Sequence, residues 1–247
     1  TRLGGRIESI IDWAIARGHR TDSNPARWTG LLDKLLPAPG KVTKTTHFQA
    51  LPYAQLPVFM EQLVGQDGMG AKALLFLILT AARSGEVRGA TWEEIDLAAR
   101  VWTIPAERMK ASKAHRVPLS DAAIALLQEM KALALAAGRT TGKAYVFPSP
   151  NSRDPELGSQ LSDMTLTAVL RRLKMEAVPH GFRSTFRDWC AEQTDYPNEV
   201  AEMALAHAVG NKVEAAYRRG DLLAKRQQLM QDWADYAHGR RAENTTD

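Results

Sequence analysis

The chain reads as mainly α with a small antiparallel sheet, an α+β arrangement in which a helical domain carries three short strands and follows part of another helical domain. Three observations predict it. Apolar residues recur at helical spacing through most of the 247 residues. Three strand-like segments cluster between residues 95 and 119. A stretch rich in proline and threonine, residues 37–50, separates a short amphipathic pair from all that follows. These features divide the chain into residues 1–45, a partial helical domain with its linker, and residues 46–247, the larger domain.

In the first part, Ile7, Ile10, Ile11, Ala14 and Ile15 place a helix over 6–17, with Gly18 as its stop. Asn24-Pro25 marks a turn, and Trp28, Leu31, Leu32 and Leu35 suggest a second helix over 26–36. In the larger domain, 56–64 and 71–82 read as helices. The second is apolar almost all round and should be central and buried. Residues 95–97, 101–104 and 115–119 are the strand candidates. Residues 121–137 form a helix with an acidic start and Gly138 at its end. Further helices follow over 162–177, 181–193, 197–206, 211–219 and 221–237. Asp221 suits the N-cap of the last one. Its stripe of Leu222, Leu229, Met230, Trp233 and Tyr236 fits packing on its own domain or docking in a neighbouring subunit.

Composition narrows the function. The chain is 45% hydrophobic and 24% charged, which is globular. A single cysteine, Cys190, rules out an intramolecular disulfide and a cysteine-rich zinc site. The apolar run from Ala73 to Ala82 is too short to span a bilayer. Thr1-Arg2-Leu3 carries no apolar signal core, so the start reads as an internal point of a longer chain in a reducing, cytoplasmic compartment. Arg100, Arg108, Lys110, Lys113 and Arg116 face only Glu107 within residues 100–116. That segment therefore carries the same +4 as the whole chain, which suggests a polyanionic partner.

The six histidines, at 19, 47, 115, 180, 207 and 238, form no metal-ligand spacing. Glycine-rich phosphate loops and the Gly-x-Ser-x-Gly elbow are absent, so neither a metal nor a nucleotide cofactor is expected. An arginine, histidine and tyrosine set remains. Arg83 follows the apolar helix with Glu86 three residues on, as an anion-binding pair or a satisfied helix end. His180 and Arg183 share one face of a helix start, where anions are favoured. His207 closes a helix before Gly210, and Tyr217 sits among small residues and arginines. Arg187 suits a DNA contact or a surface ion pair, and His115 a DNA-facing or structural place. Cys190 and Trp189 read as core.

Together these anchors resemble the tyrosine recombinase (phage integrase) family, in its prophage and genomic-island branch. They are Thr80–Trp92 with Arg83 and Glu86, the Met109-Lys110…His115-Arg116-Val117-Pro118-Leu119-Ser120 hairpin, His180-x-x-Arg183, Leu205-Ala206-His207 and Tyr217-Arg218-Arg219. Each is weak alone; all stand in family order. The resemblance implies a helical catalytic domain with a small sheet, preceded by the end of a core DNA-binding domain. The family's arm-binding domain and first core-binding helices would lie outside these residues. It implies a site-specific recombinase that cuts and rejoins DNA without metal or nucleotide. It implies Tyr217 as the nucleophile, His180 as the base and Lys110 as the acid, with Lys113 as its competitor; Arg83, Arg183 and His207 would bind the phosphate with Glu86 accessory, and Arg108, Lys113, Arg116 and Arg187 would contact DNA. Implied partners are double-stranded attachment sites and accessory DNA-bending proteins, with a monomer in solution and a tetramer on DNA in a bacterial cytoplasm. A type IB topoisomerase and a catalytically silent DNA-binding relative are the alternatives.

Overall fold

The computed structural model describes residues 2–38, 49–207 and 220–240. Most of the linker expected over 37–50, the helix expected over 211–219 and Tyr217 fall outside these residues. The chain forms two compact units, Thr1–His47 and Phe48–Asp247.

In the first unit, α1 spans Arg2–Ala16. Asn24 is buried; its amide donates to Glu8 O at 2.9 Å and Asp12 Oδ1 at 2.7 Å, tying the following loop to the helix. The helix expected over 26–36 is broken instead. Thr29 is extended (ψ 123°) and Gly30 turns left-handed (φ 84°), leaving one wide turn and a short α-turn at Asp33–Leu35. Glycine tolerates that φ at little cost, and the Gly30 N–H finds Asp33 Oδ1 at 3.0 Å, so the break is stable locally.

The second unit is built on two early helices, α2 (Leu56–Val64) and α3 (Met69–Thr80). Every residue from Ala73 to Thr80 is buried, so the all-round apolar pattern does make α3 the central helix. Thr80 returns its hydroxyl to Phe76 O at 2.6 Å, which removes its polar cost. Ala81 then ends the helix in the left-handed region, with φ 49°. A short helix, α4 (Ser84–Arg88), follows.

The sheet has strand order β1-β2-β3, with β1 at Ile95–Asp96, β2 at Val101–Ile104 and β3 at His115–Pro118. All pairings are antiparallel, with Ile95 opposite Trp102 and Ile104 opposite His115. Trp102 fixes the sheet on the core. Its ring lies 5.3 Å from Phe76 of α3, and its indole N–H donates to Glu94 Oε2 at 2.9 Å.

Among the described residues, four helices precede the last element: α5 (Asp121–Ala136), α6 (Thr165–Arg172), α7 (Gly181–Gln193) and α8 (Asn198–Ala204). Ser120 caps α5 by accepting the Ala123 N–H. The helix α6 is shorter at both ends than the 162–177 expected, and Lys174, with φ 56°, stops it on the C-terminal side.

The last helix, α9 (Leu223–Ala237), packs on its own domain. Leu229, Met230, Trp233, Ala234 and Ala237 are buried, and Trp233 Nε1 donates to Ile78 O of α3 at 2.7 Å. Asp221 does not cap it. Leu222 takes φ 53°, and the Asp221 carboxylate instead binds Arg116 at 2.8 Å through both oxygens and the buried Arg226 at 2.9 Å. Arg226 also donates to Asp221 O at 2.7 Å and Arg116 O at 2.5 Å, fastening α9 to β3.

Trp233 joins the last helix to the central one, so Trp233→Ala should lower stability by about 3–5 kcal/mol, the usual range for emptying a buried aromatic site. Urea denaturation checks this; a loss under about 1 kcal/mol would mean that α9 is not integral to the core.

Candidate active site

The site forms where helices end. Burying an arginine at the C-terminus of α3 is costly unless a carboxylate answers it. Glu86 does so twice: Oε1 takes Arg83 Nη1 at 2.7 Å, and Oε2 takes the Arg83 backbone N–H at 2.8 Å. Glu86 is 6% exposed and Arg83 partly exposed, so the pair leaves the arginine side chain partly open to solvent.

His180 precedes the first residue of α7. The glycine after it is required by a close approach: a Cβ on Gly181 would lie 2.2 Å from Gln49 O. The segment 49–51 is anchored there by Thr185, whose hydroxyl donates to Leu51 O at 2.6 Å. One turn later Arg183 is 4% exposed. Nη1 donates to Ala81 O at 2.5 Å, Nη2 to Leu205 O at 2.5 Å, and Nη2 also contacts His207 Nε2 at 3.2 Å. Burial, and then the charge of Arg83, lower the Arg183 pKa to about 10, which leaves it cationic at neutral pH. Partial burial, followed by Arg183, Arg83 and His207, lowers the His180 pKa from the ordinary 6.5. The neutral imidazole is therefore its form near pH 7.

The structure thus gathers Arg83, Glu86, His180, Arg183 and His207. Lys110 and Lys113 are both exposed in the hairpin between β2 and β3. Arg116 is held by Asp221, and Arg187 by Glu202 Oε1 at 2.6 Å and by Asn198. Arg108 is engaged within the fold, with Glu94 and the Glu86 carbonyl, in space that only Gly89 leaves open: a Cβ there would lie 2.8 Å from Arg108 Nη2.

One contributor, Glu202, carried no motif, and His115, which lies within the hairpin motif, had its orientation left open by the sequence. Glu202 binds His207 Nδ1 at 2.8 Å through Oε2, five residues away, a spacing outside the ordinary helical pairs. His115 turns inward; burial, and then the charge of Arg226, lower its pKa to about 4. Its place opening β3 could have signalled this, because neighbouring strand residues face opposite sides. Among the described residues, no group of three or more His, Cys, Asp or Glu could hold a metal ion, and no helix is long and apolar enough to cross a membrane. Two arginines, two histidines and two carboxylates that orient them make a pocket suited to a tetrahedral oxyanion.

Comparisons with known proteins identify the family. The model of the Phage integrase family matches residues 52–222. The integrase of Enterobacteria phage P4 is 32% identical over 255 residues, covering 95% of this chain and 54% of the relative. Prophage integrase IntA of Escherichia coli strain K12 is 38% identical over 185 residues, covering 73% and 42%. The chain thus spans about half the length of the curated relatives it matches. Among solved structures, the integrase from mycobacterium phage Brujita shares the fold, with TM-score 0.57 and 18% identity over 98% of this chain and 73% of that one. So does the Tn1549 transposon integrase in complex with transposon right end DNA, with TM-score 0.53 and 15% identity over 90% and 75%. The match over more than half of its length shows that this chain belongs to the phage integrase family of tyrosine recombinases, in the branch of the prophage integrases.

Proposed function

We propose that the chain is the catalytic part of a site-specific recombinase that cleaves and rejoins DNA through a 3′-phosphotyrosyl intermediate, integrating or excising a mobile element. The observation that carries this is the seating of Arg183 between Ala81 O, Leu205 O and His207, beside the Arg83–Glu86 pair.

In this reading Tyr217 attacks the scissile phosphorus and displaces the 5′-oxygen. The phosphotyrosyl bond conserves the phosphodiester energy, so rejoining needs no nucleotide. A phenol ionises near pH ~10, so attack at neutral pH needs a base. His180 serves, because its lowered pKa keeps it unprotonated. Lys110 protonates the leaving oxygen from the β2–β3 hairpin, with Lys113 as its rival. Arg83 and Arg183 neutralise the non-bridging oxygens, His207 adds a hydrogen bond, and Glu86 orients Arg83. Lys113, Arg116 and Arg187 add DNA contacts, Arg116 on release from Asp221 and Arg187 through N–H groups that Glu202 does not take. The partners are double-stranded attachment sites and accessory DNA-bending proteins in a bacterial cytoplasm. Packing of α9 on its own domain supports a monomer off DNA, with a tetramer forming on paired sites.

Three outcomes test the reading. Tyr217→Phe should bind site DNA as the wild type does, since affinity rests on phosphate contacts, and form no covalent adduct on a nicked suicide substrate. A denaturant-resistant adduct from that variant would refute the nucleophile assignment. Lys110→Ala should be crippled on a 5′-oxygen bridge yet nearly normal on a 5′-sulfur bridge, which leaves unprotonated; equal defects would point to phosphate binding or to Lys113. The pH–rate profile should lose activity on the acid side only below the ordinary histidine value of 6.5, where His180 becomes protonated. An acid limb centred above that value would exclude His180 as the base.

A further inference from the structure

Glu202 stands between two groups of the site. The α8 helix closes in a Schellman turn, in which Ala206 N–H bonds Met203 O at 3.1 Å and His207 N–H bonds Glu202 O at 2.9 Å. Ala206 takes φ 50° at the position where glycine is usual. The turn folds His207 back over the final turn, and Nδ1 meets Glu202 Oε2 at 2.8 Å. Glu202 Oε1 accepts from Arg187 Nε at 2.6 Å, so the carboxylate is held on both sides.

These contacts distinguish the two ring nitrogens of His207. A guanidinium offers only N–H groups, so Arg183 Nη2 donates and His207 Nε2, 3.2 Å away, accepts. The ring proton therefore sits on Nδ1 and is donated to Glu202. The other tautomer would set N–H against N–H at Arg183 and a lone pair against the carboxylate at Glu202.

The same contacts occupy the arginine. Both N–H groups of Arg183 Nη2 are used, one by Leu205 O and one by His207 Nε2. Each two-pronged edge of a guanidinium includes Nη2, so a phosphate bound through two N–H groups must displace one of these acceptors. Leu205 O belongs to the backbone that ends α8; His207 is a side chain and can yield. Its Nε2 occupies the place of a phosphate oxygen.

We propose that Glu202 is a positioning residue that fixes His207 with Nδ1 protonated and Nε2 bare against Arg183, holding the phosphate's place until DNA arrives. The incoming oxygen takes over the Arg183 Nη2 hydrogen bond. The displaced Nε2 takes one proton from solvent, and the ring, still held at Nδ1 by Glu202, donates Nε2–H to the phosphate. Arg187 keeps Glu202 from rotating away. The charges around this exchange are Arg183, Arg83, Glu86 and His180 on one side and Arg187 on the other. The inference rests on the reading of this pocket as a phosphate site.

Nitrogen-15 NMR of the histidine-labelled chain without DNA tests the tautomer, and suicide-substrate cleavage tests the consequence. In the wild type, His207 should carry its proton on Nδ1. Glu202→Leu should lose that form and cut cleavage by about 10- to 100-fold, the range typical when a carboxylate that orients a histidine is removed. Site binding should stay within about twofold. Arg187→Met, which removes the second anchor of Glu202 along with the DNA contact proposed for Arg187, should keep the tautomer and, at saturating DNA, lose less activity. Should leucine compromise folding, Glu202→Gln keeps the shape and serves both readouts, with a smaller loss of cleavage. A wild-type His207 protonated on Nε2, or a Glu202→Leu chain no worse than Arg187→Met with its tautomer unchanged, overturns the proposal. Failure of the recombinase reading itself would appear as absence of any wild-type adduct, which leaves the NMR result standing.

Discussion

The Arg183 guanidinium, 4% exposed, sets the terms for its surroundings. A buried cation must be answered by acceptors or lose several kcal/mol. The answers come from the ends of helices, where carbonyls lack helical partners. Ala81 closes α3 and Leu205 closes α8, and each presents its oxygen at 2.5 Å. Left-handed backbone is used at both ends, at Ala81 with φ 49° and at Ala206 with φ 50°. For a residue with a Cβ this costs roughly 1–2 kcal/mol each. The strain is kept where it aims carbonyls at one guanidinium.

That arrangement requires helix ends that do not move, which the apolar core supplies. Residues 73–80 of α3 are all buried, and α9 is fastened to them through Trp233 and Ile78 O. Phe186, Trp189 and Trp233 lie within 6.3 Å of one another by ring centre, so α7, which carries Arg183, is packed on α9. Core and site are thus mechanically one: Phe186, packed on Trp233, lies one turn along α7 from the buried Arg183.

The charged groups divide by burial. Glu86 and Arg183 are enclosed, and their pairs hold shape in low dielectric. The Arg116–Asp221 pair has side chains 49% and 38% exposed, so water and salt weaken it and it can open for a competing polyanion. Arg108, partly exposed and held by Glu94 and a backbone carbonyl, stands between the two classes.

The sequence by itself determined the elements with strong periodic or steric signals. The apolar run of α3, the three strands, the His-Gly-x-Arg start of α7 and the Arg83–Glu86 pair were legible because each rests on neighbours within a few residues. It did not determine the break at Gly30, the cap at Ser120, the inward turn of His115 or the Asp221 clamp, each of which depends on a partner elsewhere or on a local turn that competes with helix. Glu202 is the clearest case. It lies five residues before His207, outside the spacings at which helical side chains meet, and only the left-handed turn at Ala206 brings the two together. Tertiary structure decided that contact because a helix end, unlike a helix interior, can reverse the chain and set side chains against each other that periodicity keeps apart.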